Sequence, residues 1–96
     1  MKIIVSDSQR WALMHLAGKS GSAPVRVVLA PSWDSMERQQ LVARRPGMIG
    51  RYGPGVFQLT ERGRLVVHAI IRGSADRHSR KRWAVELPGD ESEPAS

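Results

Sequence analysis

The residues of this chain that could do chemistry are three histidines, a run of spaced glycines, scattered serines and an unusual number of arginines. His15, His68 and His78 have no metal-ligand spacing, and with no cysteine and no clustered carboxylates nothing completes a metal site. Gly47, Gly50, Gly53 and Gly55 resemble a phosphate-cradling loop, yet no Gly-Lys-Ser/Thr follows, so turn geometry explains them better. The serines lack a paired His and acid, and neither an enzyme activity nor a cofactor is expected. What remains is charge. Fifteen Lys and Arg stand against nine Asp and Glu, a net +6. Asp90, Glu91 and Glu93 sit in the tail, which leaves residues 1–88 with fifteen basic and six acidic groups.

Twelve of the bases are Arg, whose planar fork suits bidentate contacts to phosphate or guanine. A surplus of this size favours a nucleic-acid partner, because electrostatics supplies most non-specific binding. The bland reading is an Arg-rich soluble protein. Ninety-six residues suit one domain, expected over residues 1–87, with an acidic, Pro-containing disordered tail at 88–96. No apolar run nears the ~20 residues that span a bilayer, and Met1 to Val5 is too short for a signal-peptide core, so a cytoplasmic protein is expected.

The elements that must position these arginines can be read in order. Lys2–Val5 is a short strand or an apolar arm. Ser6 and Gln9 form a capping-box pattern opening a helix through Trp11, Leu13, Met14, Leu16 and Ala17, stopped by Gly18. Its two half-apolar faces, Gln9/Ala12/Leu13/Leu16/Ala17 and Trp11/Met14/His15, suggest burial on both sides. After the loop 19–24, residues 25–29 read as a strand, with a helix opening at Pro24 as the alternative. Ser32 to Arg45 predicts the next helix, ended by Pro46-Gly47, although Leu41 and Val42 fall off its apolar face. Met48–Tyr52 and Val56–Leu59 predict a hairpin around Gly53-Pro54-Gly55. Thr60 caps a helix over 60–72 whose polar stripe is Glu61, Arg64, His68 and Arg72; its β-branched run leaves a strand as the minor reading. Residues 73–79 read as a polar connection, and Trp83–Leu87 as a closing strand. The three tryptophans, Trp11, Trp33 and Trp83, are expected as core or interface anchors.

Helix, strand, helix, glycine hairpin, then Leu59-Thr60-Glu61-Arg62-Gly63-Arg64 opening a further helix: this order resembles bacterial and phage winged-helix regulators of the MarR- and PadR-like group. The matching residues are Leu41, Gly47-Met48-Ile49, Arg51–Gly55 and Leu59–Arg64, within residues 33–70. Five residues separate Leu41 from Gly47 where the family's spacing has three. The resemblance implies an α+β, winged helix-turn-helix-like fold, about three helices with a small β-sheet or hairpin wing. It further implies a homodimeric transcriptional regulator that binds double-stranded DNA.

Under that reading helix 32–45 enters the major groove, with Arg38 and Gln39 placed to read base edges and Arg44 and Arg45 to hold phosphates. Arg51 and Tyr52 flank the wing tip. Arg77, Arg80, Lys81 and Arg82 make the densest basic cluster, suited to sequence-blind phosphate contacts. The competing reading is a mobile-element or phage-encoded interaction module that inhibits a host protein, such as a nucleic-acid-handling defence complex. A third, RNA binding, has no aromatic-rich sheet signature to support it.

Overall fold

A computed structural model describes residues 1–18 and 32–87. The segment expected as loop 19–24, the residues 25–29 read as strand or helix, and the tail 88–96 lie outside the described residues. The remainder is α+β: three helices among the described residues and two small antiparallel sheets.

Strand β1 (Lys2–Ser6) runs directly into helix α1 (Asp7–Leu16). The junction is set by the expected capping box. Ser6 Oγ accepts from the Gln9 backbone N–H while Gln9 Oε1 accepts from the Ser6 N–H, which together contribute about 1 kcal/mol. The same Gln9 is buried, and its Nε2 donates to the Ser32 carbonyl at 3.2 Å, so the burial leaves no polar group wanting. Gly18 stops the helix at φ +74°.

Helix α2 spans only Trp33–Arg38, which corrects the helix expected over 32–45. Its end is a Schellman motif without glycine. Gln40 adopts a left-handed φ of 63°, its N–H donates to the Glu37 carbonyl, and the Leu41 N–H donates to the Met36 carbonyl at 2.9 Å. Leu41 and Met36, the hydrophobic pair that goes with this motif, are both fully buried. Beyond the reversal, β2 (Val42–Arg44) pairs antiparallel with β3 (Phe57–Leu59), Arg44 lying opposite Phe57. The hairpin is therefore built from 42–44 and 57–59, not from 48–52 and 56–59. Met48–Tyr52 belongs to the long connection between its strands.

Thr60 caps α3 (Glu61–Ile71) as expected, accepting from the Gly63 N–H at 3.1 Å. Gly63 is buried, and a Cβ there would run into the Leu41 carbonyl. That missing carbon lets the first turn of α3 lie on the chain reversal at Gln40–Leu41, where the Thr60 N–H also donates to the Leu41 carbonyl. Arg72 and Gly73 close the helix, Gly73 at φ +78°.

Two further strands follow. β4 (Asp76–Ser79), which the sequence reads as a polar connection, pairs with β5 (Arg82–Glu86) through the two-residue turn Arg80-Lys81. β5 in turn pairs with β1, giving the order β1-β5-β4, with Ile3 opposite Val85 and Val5 opposite Trp83. Ile3, Val5 and Val85 face inward and meet Leu13 of α1, Val66 and Val67 of α3, and Met36, Leu41 and Phe57 in one core. Trp33 is buried in it, while Trp11 and Trp83 are half-buried at its margin. Among the described residues no helix is long and apolar enough to cross a membrane.

Candidate nucleic-acid interface

The connection between β2 and β3 is a stack of tight turns. The Met48 N–H donates to the Arg45 carbonyl, the Arg51 N–H to the Met48 carbonyl, and the Val56 N–H to the Gly53 carbonyl. In the first two turns the third residue is Gly47 at φ +81° and Gly50 at φ +82°, the sign that a type II turn demands and only glycine adopts freely. Pro46 pre-sets the second position of the first turn. Ile49 holds the same position in the second and is 90% exposed.

This loop is clamped to the body of the protein by Arg44. Its guanidinium lies 4.5 Å from the Tyr52 ring centroid and 4.9 Å from that of Phe57. It donates to the carbonyls of Met48 and Arg51, and its Nε sits 3.6 Å from Glu37. Phe57 stacks on Trp33 at 4.7 Å with the rings 6° from parallel, and the Tyr52 hydroxyl donates to Asp34 at 3.0 Å. Arg44 therefore stands in β2, not at a helix end, and its side chain is only 17% exposed. Its Nη1 donates to both loop carbonyls while its Nε faces Glu37. Where the sequence reads a phosphate role for it, the structure shows a brace under the loop, and Tyr52 is likewise a brace with its hydroxyl engaged.

Arg45, one residue on, points the other way, as the period of two along an extended chain requires. It is exposed and lines an 820 Å³ groove with Arg64, His68 and Arg72. The floor is apolar, from Leu16 of α1, Leu59 of β3 and Val67 of α3. Among the described residues no acidic side chain lines this groove. Arg64, His68 and Arg72 were legible as a helix stripe at spacing four, but as a solvated face and not as part of a site. Glu61, the acid of the same stripe, opens on a different cleft with Glu37, Arg44 and Arg62.

The second basic region is the β4–β5 turn. Arg80, Lys81 and Arg82 are exposed and share a 620 Å³ cleft with Ser6 and Ser79. The Asp7 N–H donates to the Lys81 carbonyl at 3.0 Å, which holds the turn beside the start of α1. Arg77 is committed in part: it lies 4.4 Å from the Trp83 centroid and donates to the Arg80 carbonyl at 2.8 Å. Arg10 approaches the same ring at 5.0 Å, and the Trp83 Nε1–H donates to Asp7.

The two residues expected to read bases are not presented together. Arg38 is exposed at the last position of α2. Gln39 turns inward, its Nε2 donating to the Ile4 carbonyl and to Ser35 Oγ, each at 3.4 Å. A six-residue helix with Trp33 and Met36 buried offers little face to a major groove. The structure thus separates the sequence-derived set into residues that brace (Gln39, Arg44, Tyr52 and in part Arg77) and residues that stand free (Arg38, Arg45, Arg51, Arg80, Lys81 and Arg82). Among the described residues no three His, Asp or Glu side chains gather as a metal site.

Comparison of the chain with protein-family models, with curated proteins and with solved structures finds no match in any of the three.

Proposed function

We propose that this protein binds double-stranded DNA through phosphate contacts from the Arg45/Arg64/Arg72 groove, the Arg51 flank of the loop and the Arg80–Arg82 turn, as a winged-helix-like transcriptional regulator. The observation that carries the reading is the groove: three arginines and a histidine line it, with no acidic side chain among the described residues that do so. Mutual repulsion makes such a cluster costly unless a polyanion answers it. The hairpin β2–β3 followed by α3 supports the wing of the resemblance, whereas the reading head expected at 32–45 is absent. The contacts named here are accordingly sequence-blind. The half-buried Trp11 and Met14 of α1 supply the surface for the homodimer that this reading includes.

Fluorescence anisotropy on mixed-sequence duplex DNA tests it. Each arginine that gives up a phosphate lowers the slope of log affinity against log salt by about 0.9, so Arg45→Ala/Arg64→Ala/Arg72→Ala should lose between two and three such increments. No salt-dependent binding by the folded wild type would refute the reading.

The second reading, an interaction module that inhibits a host nucleic-acid-handling protein, draws on Ile71, which is 52% exposed at the rim of the same groove. It predicts a stoichiometric protein complex that Ile71→Asp abolishes and that moderate salt leaves intact.

A further inference from the structure

We propose that Ile49 is a wedge that enters the minor groove of the bound duplex and parts a base step. This rests on the DNA-binding reading above and adds to it the deformation the protein imposes. Three observations lead there. Ile49 is 90% exposed, the most exposed large apolar side chain among the described residues, and it sits at the outer corner of a turn that Gly50 makes at φ +82°. Arg45 and Arg51, the two arginines on either side of it in the loop, are exposed too. The support is stiff: Arg44 donates to the carbonyls of Met48 and Arg51, on either side of Ile49, and Tyr52 ties the loop to Asp34 of α2.

Each has a consequence for the partner. An apolar tip between cations matches a surface that is charged along its edges and apolar between its stacked layers, which describes the base steps of a nucleic-acid duplex. Minor-groove proteins frequently unstack a step by inserting a Phe, Leu, Ile, Met or Pro between its bases. Stiffness is what such a wedge needs, since a floppy tip would fold back instead of parting stacked bases. Steps of the TA type unstack most easily, so the wedge gives preference among sequences without any hydrogen bond to a base edge. In this way the chain has a route to selectivity despite lacking the reading helix expected at 32–45.

The test uses an alternating A·T duplex carrying 2-aminopurine, read in one titration for anisotropy (binding) and for 2-aminopurine emission (unstacking). Wild type should bind and raise the emission at saturation about twofold or more, as parting a step requires. Ile49→Ser should still bind, about threefold to tenfold more weakly, and leave emission flat. Ile49→Phe, a larger wedge, should keep the rise. Arg45→Ala should weaken binding but give the full rise once saturated. Wild-type binding with unchanged emission, or an equal rise with Ile49→Ser, would overturn the wedge and leave the phosphate-contact reading standing. Absence of any anisotropy change at low salt would overturn both.

Discussion

Two of the described loops carry arginine, and they are built in different ways. The β2–β3 connection, residues 45–56, is long and is held from below: Arg44 lies against Tyr52 and Phe57, Phe57 stacks on Trp33, and Tyr52 reaches Asp34. The β4–β5 turn is two residues long, flanked by strand residues 76–79 that are all exposed, and is held by the ladder to β5, by Arg77 against Trp83 and the Arg80 carbonyl, and by the Asp7 N–H on the Lys81 carbonyl. In the first, one arginine is sacrificed to fix the geometry of others. In the second, shortness fixes the geometry and nearly every cation is free. The difference teaches that arginine count is a poor guide to binding capacity, because a guanidinium whose protons are taken by carbonyls has little left for a phosphate.

Substitutions can break or sharpen this contrast. Phe57→Ala removes the floor under the clamp and a fully buried ring, and is expected to cost about 3–5 kcal/mol in urea unfolding, which would loosen the β2–β3 loop and leave the β4–β5 turn less affected. Arg44→Ala takes the Arg44 donor from the Arg51 carbonyl and leaves the Met48 carbonyl with the Arg51 N–H, and should cost about 1–3 kcal/mol, with Arg44→Lys recovering little of it because a tetrahedral ammonium cannot lie flat against two rings. For the other loop the effect moves from stability to affinity. Arg80→Ala/Lys81→Ala/Arg82→Ala should lower DNA affinity about tenfold or more at low salt while changing stability by no more than about 0.5 kcal/mol, read by anisotropy and by urea unfolding in parallel. The smallest effect is Tyr52→Phe, which deletes one exposed hydrogen bond to Asp34 and should cost about 0.5 kcal/mol, with faster proteolysis confined to residues 45–55 as its clearest sign. Equal losses of stability in the two loops would break the contrast.

Much of the scaffold was legible from sequence because its signals are local. Ser6 with Gln9 started α1, Gly18 stopped it, Thr60 opened α3, and the alternation of Trp83–Leu87 marked a closing strand, whose pairing with β1 the structure supplies. What was lost depends on contacts that local pattern does not contain. Gln40 ends α2 in a left-handed conformation without glycine, held there by Met36 and Leu41 burying together, so the helix signal ran on to Pro46-Gly47. The misfit of Leu41 and Val42 with the helix face was the trace of that reversal. β4 has no apolar residue in Asp76-Arg77-His78-Ser79 and exists through its pairing with β5 alone. The candidate site followed the same division. The free cations Arg45, Arg51 and Arg80–Arg82 were found by charge and position, whereas the engagement of Arg44 and Gln39 and the convergence of Arg64, His68 and Arg72 on Arg45 required the packed structure.

The most direct test of the division between bracing and contacting arginines is to follow each arginine Hε resonance by NMR while duplex DNA is added to the full chain. The account predicts that Arg45, Arg64, Arg72, Arg80 and Arg82 shift with a common saturation curve while Arg44 stays where it is. A shift of Arg44 with Arg45, Arg64 and Arg72 unmoved would contradict it.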